Sequence, residues 1–194
     1  MKKISLFFAA LYFLLPSPAN AFEWQLDPPH SNFYFEIKHI YSTIRGRFSD
    51  YSGKVFFDPE HPEKSRIELR IKVDSIDTDE GKRDTHLRSA DFFDTNRFPE
   101  MKFTSSRITR AGENRYAAEG TLTIKDVSRE MVLEFVYHGQ KDHPAAKGQV
   151  VAGLDSRLSL NRLDFAVGDG KFSRMGLVDK EVNILISLEI LRDK

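Results

Sequence analysis

The chain contains no cysteine. That excludes disulfides, thiolate metal sites and a cysteine nucleophile, so packing and hydrogen bonding alone must hold the fold. It lacks a charge of one sign as well: 29 Lys and Arg stand against 29 Asp and Glu. Nothing in that balance calls for nucleic acid or an anionic lipid surface as partner. Signatures of catalysis are missing. None of the six histidines stands in an H-E-x-x-H or H-x-H spacing, the patterns that set two imidazoles on one metal. There is no G-x-S-x-G elbow and no glycine-rich phosphate loop, which removes the commonest serine-nucleophile and nucleotide readings.

Long apolar runs are also scarce, and the one that occurs is at the start. Lys2 and Lys3 precede an apolar stretch over residues 4–15, followed by Pro16, Pro18 and the Ala19, Asn20, Ala21 triplet. A basic region, a short apolar core and an A-x-A site describe a secretory signal peptide over residues 1–21. A spanning helix needs about 20 apolar residues, so no stable membrane anchor is expected once the segment is removed. Residues 22–194 then form one domain, large enough to bury a core without staples.

What the sequence has in quantity is period two. In SRIELRIKVDS, Ile67, Leu69, Ile71 and Val73 alternate with Glu68, Arg70, Lys72 and Asp74, the pattern of a strand with one buried face. The same alternation runs through SNFYFEIKH, GTLTIKD, EMVLEFVYH, VVAGLDSRLSL and EVNILISLEI, and turn-rich stretches such as DPEHPEKS, RAGENR and GDGKFS separate the strands. About eight or nine strands are expected on this pattern, with one short helix over residues 79–90 capped by Asp77, Thr78 or Asp79. Such strands either stack as two sheets or close as a barrel. Period alone leaves both open.

Sixteen phenylalanines are present. Strand parity turns Phe33, Phe35, Phe48, Phe103, Phe135 and Phe165 inward, with Ile37, Leu122 and Ile124. An eight-stranded barrel either fills its interior or keeps room for one ligand. A linear hydrocarbon gains about 0.8 kcal/mol per buried CH2, so an apolar lining suffices to hold a long chain. His39 shares the inward parity and is expected to meet a hydrogen-bond partner there, or the polar end of a ligand.

The segment RDTHLRSADFF, residues 83–93, gathers the most chemistry. Asp84, His86 and Asp91 can be read as a metal-dependent hydrolytic cluster. The competing reading is a charged helix in which Arg83, Asp84, His86, Arg88 and Asp91 hold local geometry, with Asp84 and Arg88 paired at i, i+4. On that reading Leu87 packs on the barrel with Phe92 and Phe93, and the two phenylalanines join the interior wall. No residue is assigned as catalytic, no metal ligand is assigned, and no cofactor is expected.

The segments LDPPHSNFYFEIKH, RGRFSDYSGKVFFDPEHPEKS, SIDTDEGKRDTHLRSADFFDTNRFPEMKFTS, GTLTIKDVSREMVLEF and NRLDF, in this order and spacing, resemble the YceI-like family. The resemblance spans nearly the whole of residues 22–194. It implies an all-β, antiparallel, up-and-down lipocalin-like barrel of about eight strands with one short helix. It also implies a periplasmic, non-enzymatic carrier of polyisoprenoid or other long-chain lipid, without cofactor, and it leaves a homodimer open. A filled barrel with an interaction or stress role is the remaining alternative. Two turns depart from the family pattern: Asp126 to Glu130 after the GTLTIKD strand, and Ala166 where glycine is usual.

Overall fold

The computed structural model describes residues 22–194, and the signal-peptide segment lies outside them. Eleven strands form one sheet. In chain order these are β1 (Glu23–Leu26), β2 (Asn32–His39), β3 (Ser42–Phe48), β4 (Tyr51–Phe56), β5 (Arg66–Lys72), β6 (Ile76–Asp77), β7 (Glu100–Arg110), β8 (Arg115–Ile124), β9 (Val127–Asp142), β10 (Gln149–Asn161) and β11 (Val178–Asp193). Two helices, α1 (Gly81–Arg88) and α2 (Lys171–Arg174), lie at one end.

The first six strands are three long strands, each broken once. β1 and β2 both pair with β11, at Leu26 with Ile190 and at Phe33 with Ile186. β4 continues β3 and pairs with β1, and β5 pairs with β4 while β6 pairs with β3. Counted this way, each strand neighbours its predecessor in sequence, and β11 closes the circle. The result is an eight-stranded, antiparallel, up-and-down barrel.

The breaks have local causes. Pro28 and Pro29 cannot donate to a ladder, and Pro28–His30 forms a 3-10 turn. Ser31 repairs the missing rung: its hydroxyl donates to the Glu189 carbonyl and accepts from the Glu189 N–H, both at 3.1 Å. Tyr51 then ties this turn to β4 by donating to the Ser31 carbonyl at 2.6 Å. In the third broken strand, Val73–Ser75 makes another 3-10 turn. Beyond it β6 pairs only with β3, so β6 and β7 part company. α1 and the loop to β7 fill that opening.

The interior is divided in two. At the β1 end, Trp24, Phe57, Tyr116 and Phe135 pack solidly with Val55, Ile108 and Ile190. The Trp24 indole N–H donates to the Phe57 carbonyl at 3.0 Å, and the Tyr116 hydroxyl donates to the Pro59 carbonyl at 3.1 Å, so both buried aromatics have their polar atoms satisfied. The other end is hollow. Along β11, Leu188 and Ile190 are buried while Ile184 and Ile186, on the same face, are only half-buried.

Candidate functional site

The hollow end encloses a cavity of about 580 Å³. Buried Phe33, Leu69, Phe103 and Leu133 belong both to the packed core and to the cavity lining, and so form its floor. Its walls are Phe35, Ile37 and Ile44 from β2 and β3, Leu158 and Leu160 from β10, and Val182, Ile184 and Ile186 from β11. Leu87 of α1, Phe92, Phe93, Phe165 and Phe172 close the helix end. A filled barrel is therefore ruled out by the molecule's own packing. The smaller void beyond the floor, about 20 Å³ beside Phe135 and Leu188, is a packing gap.

Of the candidate interior residues, Phe33, Phe35, Ile37, Phe48, Phe92, Phe93, Phe103, Leu122, Ile124 and Phe165 line this cavity. Phe135 does not. It stacks on Tyr116 at 5.5 Å and meets Phe57 edge-on at 5.5 Å, inside the packed end. Parity placed it correctly inside the barrel but carries no information on depth. His39 also departs from expectation: it lies at the rim where β2 ends, touches the cavity, and is exposed rather than a satisfied core histidine.

α1 is built differently from the sequence reading. Its cap is Glu80, whose carboxylate accepts from the N–H groups of Lys82 and Arg83 at 3.1 and 2.6 Å; Asp77, Thr78 and Asp79 do not fill that role. The helix therefore starts two residues later than expected and ends at Arg88. Asp84 does not pair with Arg88. It turns back to accept from the N–H and hydroxyl of Thr78 at 3.0 and 2.5 Å, while Arg83 donates to the Thr78 hydroxyl and carbonyl at 2.7 and 2.6 Å. Arg88 donates to the carbonyls of Asp74 and Ile76 at 2.7 and 2.6 Å and so docks the helix on the third broken strand.

These contacts dissolve the hydrolytic cluster. Asp84 is 6% exposed and engaged by Thr78, whereas His86 reaches Asp91 at 3.1 Å on the surface. Among the described residues, the one trio spaced for a metal is Asp27, His30 and Glu189, at the Pro28 break and not in the cavity. His86 contributes instead an imidazole edge to Phe92, with centroids 5.0 Å apart. Phe92 stacks on Phe172 at 6.0 Å, and Phe93 meets Phe48 edge-on at 6.2 Å. The Lys125 ammonium pins this aromatic end by donating to the carbonyls of Phe92 and Ala166, both at 2.9 Å.

Leu87, expected to pack on the barrel with Phe92 and Phe93, lies in the cavity lining beside them. Two contributors were not expected from the sequence. Phe172 sits in GDGKFS, which reads as a turn. Arg162, in NRLDF, carried no assigned role. Its guanidinium is buried beside the cavity, with Nε donating to the Asp179 carbonyl at 2.9 Å and Nη1 to the Val167 carbonyl at 2.6 Å. Burial holds it below the ordinary guanidinium value, with Asp169 and Asp179 acting in the opposite sense.

The comparisons with known proteins agree with this architecture. A family model described as the YceI-like domain matches residues 24–190. The UPF0312 protein plu2095 of Photorhabdus laumondii is 34% identical over 189 residues, covering 96% of this chain and 95% of that protein. The crystal structure of Burkholderia cenocepacia BcnA superposes with a TM-score of 0.75 at 26% identity, over 84% of this chain and 98% of that one. A polyisoprenoid binding domain from Saccharophagus degradans shares the fold, with a TM-score of 0.62 at 15% identity, over 86% of this chain and 97% of that one.

Proposed function

The chain belongs to the YceI-like family, and from that premise we propose that it binds a polyisoprenoid or related long-chain lipid inside the hollow half of its barrel. The observation that carries the reading is a closed barrel, solid at one end, with an apolar cavity of about 580 Å³ at the other. Ligand sites commonly measure about 300–1,000 Å³. The Saccharophagus relative, described as a polyisoprenoid binding domain, supports the choice of ligand class.

The energetics suit a chain without a strong polar anchor. About fifteen buried CH2 groups gain about 12 kcal/mol, set against about 4–15 kcal/mol for lost freedom on association. Desolvated walls do most of this, so Phe35, Phe93, Ile184 and their neighbours are the ligand-binding residues. Arg83, Asp84 and Arg88 act indirectly, by holding α1 across the gap between β6 and β7.

Binding rather than catalysis is the reading. The carboxylate of Asp84 is engaged within the fold, and the His86 and Asp91 pair lies on the surface. Among the described residues no helix is long and apolar enough to cross a membrane. With residues 1–21 read as an export signal, the protein is a periplasmic carrier or store for a lipid that water does not dissolve.

Extraction of the purified, unfolded protein with organic solvent, followed by mass spectrometry, tests this. A long-chain lipid in near-stoichiometric amount is expected. An empty extract combined with no uptake of an added long-chain prenol contradicts the proposal.

A further inference from the structure

Where the cavity lining carries charge, the charge is of one sign. Lys82 and Arg83 of α1, Arg162 after β10, and His39 and His86 at the rim all contribute, and no aspartate or glutamate does. Lys102 also borders the cavity, but its ammonium lies toward Glu68 at 3.6 Å in the ion-pair cluster of β5 and β7. In a chain with 29 basic and 29 acidic residues, a lining without a carboxylate is not a reflection of composition.

Arg162 sharpens the point. It is 7% exposed, its two satisfied donors meet neutral carbonyls, and its remaining Nη2 is buried without an acceptor. Its guanidinium carbon lies 5.8 Å from the Phe92 ring, which itself lines the cavity. Asp169 and Asp179 favour its charge through space, but its bonded partners are carbonyls only, and an unpaired donor on a buried cation is costly. A ligand that brings an anionic acceptor to this end removes that penalty, and charge-assisted bonds to guanidinium are among the strongest available.

We propose that the ligand carries an acidic head, a carboxylate or a phosphate monoester, held at the helix end by Arg162 and Lys82 while its chain fills the apolar hollow. The inference rests on the lipid-binding reading above. Nη2 is itself out of contact with solvent, so a ligand acceptor reaches it only if a neighbouring side chain gives way; the Phe92 ring, 5.8 Å from the guanidinium carbon, is one such neighbour.

The test compares three ligands of identical prenyl chain, the primary alcohol, the carboxylic acid and the monophosphate, by displacement of an apolar fluorescent probe below their micelle concentrations. Both acids, or one of them, are expected to bind at least about tenfold tighter than the alcohol, a difference of about 1.4 kcal/mol. Which acid is preferred identifies the head. Lys82→Met, on the exposed face of α1, and Arg162→Gln are expected to shrink that preference several-fold, read within each variant as the ratio of acid to alcohol affinity. Equal affinity for acids and alcohol in the unaltered protein overturns the inference and leaves the lipid reading standing. Failure of all three ligands to bind overturns the lipid reading, and this one with it.

Discussion

Asp84 shows at the scale of one residue how a catalytic-looking side chain serves structure. Buried and accepting two hydrogen bonds from Thr78, it fixes the start of α1 against the strand it leaves. Asp84→Ala strands those donors, and a loss of about 1–3 kcal/mol is expected in denaturant unfolding. Ala166 makes the opposite case. At φ 52° it occupies the left-handed region, which costs a residue with a Cβ about 1–2 kcal/mol. Ala166→Gly, which restores the residue the family pattern favours, is expected to raise stability by about 1 kcal/mol in the same measurement. His30 offers a check on protonation: its hydrogen bond to Asp27 at 2.7 Å, with the charge of that carboxylate, raises its pKa. The sign follows: the contact favours the folded state at pH below the unfolded imidazole value and fades as pH rises through the folded one. An NMR titration is expected to place His30 above the ordinary imidazole range, and Asp27→Asn to return it there. These residue-level roles were the least legible in sequence, because parity and spacing do not say that Asp84 folds back six residues to Thr78.

At the scale of elements, the strands themselves were readable, and the joining of the first six into three longer ones was not. Alternation in EVNILISLEI and SRIELRIKVDS specifies which face goes inward, since one buried face enforces register. Two features depend on particular polar contacts instead: the turn at Pro28, tied down by Ser31 and Tyr51, and the turn at Val73, where the Ser75 hydroxyl donates to the Lys72 carbonyl at 2.6 Å. Ser31 replacing a backbone rung to Glu189 has no periodic signature. The helix was foreseen as an interruption of strand rhythm, but its cap was not, because a glutamate at that position competes with three better-known capping residues just before it. Gly120 illustrates a constraint between elements. Opposite the β7 bulge at Ser105, a Cβ on Gly120 would lie 2.8 Å from the Ser105 Cα, and backbone cannot step aside as a flexible side chain can. Gly120→Ala is expected to cost about 1–3 kcal/mol, read as a lowered unfolding midpoint, with an unchanged barrel signature in circular dichroism.

At the scale of the molecule, the decisive property is the contrast between a solid end and a hollow one. Phe135 and Phe35 both point inward on alternating strands, yet Phe135 is buried among Phe57 and Tyr116 while Phe35 is a half-buried cavity wall. Phe135→Ala is expected to cost about 3–5 kcal/mol, the usual price of removing a packed aromatic. Phe35→Ala, which widens an existing void, is expected to cost clearly less and to weaken lipid uptake. Depth along the barrel was invisible in the sequence, because the same period runs unbroken from one end of β11 to the other. Ile184→Trp tests most directly whether lipid occupies this hollow. Ile184 sits on the cavity wall, and an indole there takes up part of the hollow. Titration of the variant and the unaltered protein with one long-chain prenol, with folding checked by melting temperature, should show binding reduced at least about tenfold in the variant, a loss of about 1.4 kcal/mol, at equal or higher melting temperature. Undiminished prenol binding by a folded Ile184→Trp would contradict the account.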